Sequence, residues 1–207
     1  MYVMGQAVPV TQAVVRVPQE ERTRVMRQRL LDATADLLAT EGFAATTTMS
    51  VAERAGVSRG ALLHHFPSKN DLVVAAVAHV MSSRDDDLRA KADRITGART
   101  RPVLEMLADH FTSPVFMAAL ELWVAARTDE ALRAEVFRLE REVGRQTHAL
   151  TVELLHADES RSGVRELIQA TLDLVRGLGL ASALSDDAAR RNHILDQWAL
   201  TLEKELA

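Results

Sequence analysis

From Arg22 to the C-terminus, apolar side chains recur at every third or fourth position, and no run alternates in the manner of a strand. The pattern predicts an all-α chain. Met26, Leu30, Ala33, Leu37 and Leu38 form the stripe of a first helix over 22–40, closed by "EGF" with Gly42 as a left-handed cap. The threonines at 46–48 cap a second helix carrying Val51, Ala52 and Ala55, and Gly56 stops it. Ser58 opens a third, with Leu62 and Phe66 on one face and Pro67 as its end. Ser68 caps a fourth, with Leu72, Ala76 and Val80, running past Leu88. Beyond "ITGARTRP" the spacing predicts helices near 102–111, 114–127, 129–156, 161–183 and 186–206. The clearest begins at the cap Asp129, its stripe being Leu132, Val136, Leu139, Val143, Leu150 and Leu154. No repeat and no low-complexity segment interrupts the pattern.

The opening fifteen residues, "MYVMGQAVPVTQAVV", lack both helical period and the basic start of a signal peptide. They read as part of a disordered arm over 1–19. No stretch reaches the roughly 18 uninterrupted apolar residues of a membrane span. The chain has no cysteine, which excludes disulfides and thiolate metal sites and points to a reducing cytoplasm. The net charge of −4 conceals an asymmetry. Residues 1–70 hold 8 Lys+Arg against 6 Asp+Glu, and residues 71–207 hold 17 against 23. A basic front end suits a polyanion-binding module, because screening makes phosphate attraction local; a solvated face explains the same counts.

Two short helices, 47–55 and 58–66, joined by Gly56 and Val57, have the shape of a helix-turn-helix. Gly56 tolerates the positive φ of the turn, Val57 fills the angle between the helices, and the small Ala52 and Gly60 let them approach. The second helix then presents Ser58, Arg59, Ala61 and His64 to a major groove, with Arg59 able to donate twice to guanine O6 and N7. His64 and His65 are adjacent and point about 100° apart on a helix, so they do not form a shared metal site; no metal or cofactor is expected. The alternative is that both are surface histidines without a role.

"TTTMSVAERAGVSRGALLHHFPSKNDLVVAAV", residues 46–77, resembles the DNA-binding segment of the TetR family of bacterial transcriptional repressors. The resemblance implies a helix-turn-helix DNA-binding domain over 20–68 and an effector-binding and dimerisation domain over 69–207, with 69–95 as connecting helix. It also implies a homodimer formed through the last two helices and a double-stranded DNA operator as partner. By the same resemblance Thr48, His65 and Lys69, with Thr47 beside them, match phosphate-contacting positions, and Met49 matches one that reaches a base in some members. Where the family usually carries a phosphate-binding tyrosine, this chain has Leu63, which cannot donate.

In the C-terminal half, His110, Phe111, Phe116, Met117, Leu120, Trp123, Val124 and Arg127 concentrate the aromatic character of a chain only 4% aromatic. They could line a cavity for a hydrophobic effector with one polar or anionic end, or fill the core as such residues commonly do. His148 and Arg176, each among apolar neighbours, are further effector candidates or polar groups satisfied within the core. Leu167, Thr171, Leu178, Ile194, Leu195, Trp198 and Leu202 are the expected subunit interface, with intrachain packing as the alternative. An enzyme is the rival reading of the whole, and the chain contains no GxSxG, P-loop or HExxH motif. A helical interaction protein that keeps the head shape without binding DNA is another. "DDD" at 85–87 reads as solvated helix surface.

Overall fold

Side-chain caps set the helix starts of the N-terminal head. Thr47 Oγ1 accepts from Ser50 N at 3.0 Å while Ser50 Oγ accepts from Thr47 N at 2.9 Å, a reciprocal pair that opens the second helix. Ser58 Oγ accepts from Ala61 N at 3.2 Å and Ser68 Oγ from Asp71 N at 3.1 Å. Further on, Asp129 does the same for Leu132 at 3.0 Å. The computed structural model describes residues 18–185 and 187–207, with 82–87 as backbone only, and all its regular elements are helices: α1 Gln19–Ala45, α2 Thr48–Arg54, α3 Arg59–His65, α4 Lys69–Ala92, α5 Thr100–Phe111, α6 Pro114–Ala126, α7 Glu130–Leu155, α8 Val164–Ser182 and α9 Ala188–Leu206. Most of the expected arm over 1–19 and the side chains of the "DDD" stretch lie outside the described residues; Gln19 is already helical.

The Thr47 cap serves stability as well as shape. Thr47→Ala removes the acceptor for Ser50 N, and a lost cap costs about 1 kcal/mol. A fall of roughly 2–4 °C in melting temperature is expected by circular dichroism.

One boundary differs from the sequence reading. Gly42 has the expected positive φ, 79°, but its ψ of 174° is not that of a left-handed cap, and helix resumes beyond it to Ala45. The cause comes from elsewhere in the chain: Phe43 N donates to Glu121 Oε2 on α6 at 3.0 Å, so a carboxylate restarts the helix where the glycine breaks it.

Three apolar clusters hold the fold. Leu30, Leu37, Val51, Leu62, Phe66 and Leu72 close the head of α1–α3 and the first turn of α4. Leu38, Val73, Val77, Leu122, Leu132 and Val136 join α1 and α4 to α6 and α7. Leu104, Leu107, Phe111, Ile168, Val175 and Leu195 pack α5 against α8 and α9. Successive residues of α4, Leu72 and Val73, enter different clusters, so packing continues across the expected boundary at 68/69.

Candidate DNA interface and effector region

Gly56, at φ 65°, turns the chain between α2 and α3, and its N–H donates to Glu53 O at 3.0 Å. Val57 N then donates to Ala52 O at 2.9 Å, and the half-buried Val57 side chain packs on the head core. Leu62 and Phe66 face that core, so rotation about α3 leaves Arg59, Gly60, Leu63 and His64 exposed, with Ala61 and His65 half-buried. Ser58 and Thr47 are also exposed, Thr48 is half-buried, and Met49 is 64% exposed. None of these candidate DNA residues is buried in the head core. The expected role of Gly60 in close helix approach is not seen: a Cβ there would meet nothing nearer than Ser58 Oγ at 4.0 Å. Ala52, which is buried, carries the approach.

The head's cations divide into fastened and available ones. Arg29 Nη2 donates to Ala55 O at 2.5 Å, and Arg27 stacks over the Phe66 ring at 4.5 Å. Arg54 is paired with Asp36 and with Glu41, the latter at 2.6 Å. Among the described residues, no hydrogen bond or ion pair engages the Arg59 guanidinium at the start of α3. Lys69 Nζ donates to Phe43 O at 2.6 Å and lies 3.8 Å from the centre of that residue's ring. Partial desolvation, then the positive neighbours His64 and Arg27, hold His65 below the usual imidazole range.

In the C-terminal half, His110, Phe111, Phe116 and Trp123 form an edge-to-face ladder with ring spacings of 5.1, 5.4 and 5.9 Å. Phe111 and Phe116 are buried in the core, with Met117 and Trp123 packed against it and Leu120 half-buried. Val124 is exposed, and Arg127 lines not an interior cavity but a shallow groove of about 210 Å³ with Trp123, Val136, Phe137 and Glu140. Trp123 Nε1 donates to Glu140 Oε1 at 2.6 Å. Burial pushes the Glu140 carboxyl above its ordinary range, against the Trp123 bond and the charge of Arg176. Sequence reasoning missed Glu140. Its signal was position, four residues after the buried Val136 on the edge of the α7 stripe.

Arg176 donates to Asp173 at 2.7 Å and sits 5.5 Å from the Phe111 ring. His148 Nε2 is 2.7 Å from Glu159 Oε1, which Arg165 also meets at 3.2 Å. Each candidate thus has an ion-pair partner, while His148 Nδ1 and Arg176 Nε are buried with no hydrogen-bond partner among the described residues. Glu140, Gly144, His148, Val152, Glu159 and Arg165 line an open groove of about 530 Å³ beside α7 and α8. The structure brings His148 to this groove and leaves the phenylalanines in the core. Among the described residues, no three His, Cys, Asp or Glu gather in a metal-binding group.

Of the expected subunit interface, Thr171, Leu178, Leu195 and Leu202 are turned inward. Leu178, Leu195 and Leu202 pack in the core with α5, and Thr171 Oγ1 accepts from Trp198 Nε1 at 3.0 Å. Leu167, Ile194 and Trp198 pack half-buried on the same core. What α8, α9 and the turn between them show to solvent is Leu180, Leu184 and Leu200.

Comparison with known proteins agrees with this geometry. Residues 30–76 match the family described as bacterial regulatory proteins, tetR family. The chain is 27% identical over 181 residues to the HTH-type transcriptional regulator BetI of Pseudomonas fluorescens, covering 83% of this chain and 88% of that one. It is 29% identical over 176 residues to BetI of Burkholderia mallei, with 83% and 88% covered. In fold it is similar to a transcriptional regulator from Pseudomonas aeruginosa PAO1, with a TM-score of 0.69 at 23% identity over 94% of this chain and 97% of that one. It is also similar to a transcriptional regulator from Saccharomonospora viridis in complex with choline, with a TM-score of 0.68 at 19% identity over 87% and 96%. A helix-turn-helix with an exposed arginine at the head of its second helix, the family match across that head, and similarity to named transcriptional regulators over most of the chain agree: residues 30–76 form a helix-turn-helix segment of the tetR type, and the chain as a whole is similar to DNA-binding transcriptional regulators.

Proposed function

We propose that the protein is a cytoplasmic repressor, not an enzyme, that binds a palindromic operator as a homodimer and is released by a small-molecule effector. The observation that carries this reading is α3 itself. Its inner face, Leu62 and Phe66, is anchored in the head core while its outer face offers Arg59, Leu63 and His64 to a partner. A seven-residue helix held in this way is a probe for a groove, and the remaining candidates Thr47, Thr48, Met49, Ser58, Ala61, His65 and Lys69 border it as phosphate or base contacts. Two such probes must reach major grooves one turn or more apart, about 34 Å, which calls for two copies.

The effector site is assigned to the groove beside α7 that Glu140 and His148 both line, Glu140 also accepting from Trp123 Nε1. Its lining of charged side chains with Ala149 and Val152 suits a small molecule that combines an apolar body with a charged group. One solved neighbour holds choline and another, from Bacillus subtilis, holds stearoyl-CoA. These ligands differ in kind, so for this chain Glu140 and the groove's own side chains are the better guide. Occupancy acts on DNA affinity only by favouring the arrangement that does not bind, at about 1.4 kcal/mol per tenfold loss.

Selection of bound fragments from genomic DNA with the purified protein, repeated at several salt concentrations, tests the whole reading. A recovered palindrome is the expected result. Absence of enrichment at low salt would overturn it in favour of a helical interaction protein, the reading that Leu63 in the tyrosine position favours.

For the dimer, Leu184 in the turn between α8 and α9 and Leu200 on α9 join the half-buried Leu167, Ile194 and Trp198 as the proposed contact, in place of the inward Thr171, Leu178, Leu195 and Leu202. Leu184 is 97% and Leu200 61% exposed, both unusual for leucine. Leu184→Glu with Leu200→Glu is expected to convert a dimer to a monomer in sedimentation velocity and to abolish tight operator binding. An unchanged sedimentation coefficient would place the interface elsewhere.

A further inference from the structure

We infer that Glu121, on α6, is the positioning residue through which the C-terminal domain holds Lys69 in place for its phosphate contact. The inference rests on the DNA-binding reading above and concerns how that contact is set. Three observations meet at a single residue, Phe43. Its N–H donates to Glu121 Oε2 at 3.0 Å, its carbonyl accepts from Lys69 Nζ at 2.6 Å, and its ring lies 3.8 Å from the same ammonium. Glu121 is 78 residues from Phe43 in sequence, and Lys69 is 26.

The chemistry fits a support. Gly42 breaks the helical path, leaving Phe43 N without an intrahelical acceptor, and the Glu121 carboxylate takes that donor. The carbonyl so fixed and the face of the Phe43 ring then hold the ammonium from two sides, by a charge-assisted hydrogen bond and by attraction to the ring's π-face. A lysine side chain is long and rotamer-rich, and prior ordering reduces the entropy lost when it meets a phosphate. An ammonium has three N–H donors, so the bond to Phe43 leaves others for DNA. The same corner feeds α2, since Thr46 N and Thr46 Oγ1 both donate to Gly42 O, at 3.3 and 2.8 Å, one residue before the Thr47 cap.

The test is a double-mutant cycle on the full-length protein, read as affinity for a mixed-sequence DNA duplex against salt concentration. Lys69→Ala is expected to weaken binding several-fold and reduce the salt slope by about one. Glu121→Ala is expected to produce a loss of the same kind, and the double variant to bind no more weakly than Lys69→Ala alone. Charge alone predicts the opposite for Glu121→Ala, because removing a carboxylate near the head strengthens attraction to phosphate. Glu121→Gln keeps an oxygen acceptor for Phe43 N while losing the charge, and it is expected to bind at least as well as the wild type. Circular dichroism confirms helix content for each variant. Where Glu121→Ala fails to fold, the Glu121→Gln result still decides, and a several-fold loss there overturns the inference. Losses that multiply in the double variant also overturn it. If Lys69→Ala alone has no effect, Lys69 is not a phosphate contact and the inference fails with it, whereas the DNA-binding reading is judged separately through Arg59.

Discussion

Gly179→Ala is expected to lower the melting temperature by about 6–12 °C, corresponding to a loss of about 3 kcal/mol in a chain of this size. A Cβ at position 179 would stand 2.1 Å from Phe111 O and 2.8 Å from Phe111 C. These are backbone atoms of the last residue of α5, not the end of a side chain that can swing away. The clash is relieved only by moving α8 off α5, which opens the contacts of Phe111, Leu178 and Val175 in a cluster that unites α5, α8 and α9. Overpacking usually costs 1–3 kcal/mol, and an obstruction by main chain belongs at the upper end of that range. Gly144→Ala in α7 is the control. A Cβ there meets nothing within 4 Å, so the helix gains the 0.5–1 kcal/mol by which alanine surpasses glycine. Calorimetry of both variants separates a specific close approach from a general intolerance of substitution. Equal melting temperatures would mean that α8 does not rest on α5 as closely as these distances require.

The contrast between these glycines marks how far the sequence was legible. Gly144 and Gly179 look alike in it, each a small residue within a helical run. Only the packing of a helix 68 positions earlier distinguishes them, a figure that is the difference of 179 and 111. What depends on neighbours within one or two turns was readable: the Thr47, Ser58, Ser68 and Asp129 caps, the turn at Gly56, and the inward pair Leu62 and Phe66. The orientation of α8 and α9 was not. Both carry apolar residues around much of their circumference, and periodicity identifies a stripe without saying whether the chain's own α5 or a second copy covers it. The core took Leu178, Leu195 and Leu202. In the same way, Glu121 and Glu140 become notable only when their partners, Phe43 N and the Trp123 indole, are seen beside them.

Arg59→Ala is expected to reduce affinity for the recovered operator about 5- to 150-fold, equivalent to 1–3 kcal/mol, and to relax preference at one base position. The magnitude follows from geometry. Ser58 caps α3 and Arg59 is its first residue, so the guanidinium projects from the end of the helix that enters a major groove first. Arg54 and Arg29 are held by protein acceptors, whereas Arg59 has none among the described residues, so its bonds to a guanine edge replace bonds to water. Arg59→Lys separates charge from shape: it retains the electrostatic attraction and the salt slope but loses the planar fork, and it is expected to show most of the loss in specificity. Leu63→Tyr supplies the complementary measurement. Leu63 is 37% exposed on the same helix, and a hydroxyl there adds a phosphate donor, which is expected to strengthen all duplexes several-fold without altering base preference. An Arg59→Ala variant that weakens every duplex equally would assign this arginine to the backbone. The exposed Met49 and His64 would then remain as the residues positioned to read bases.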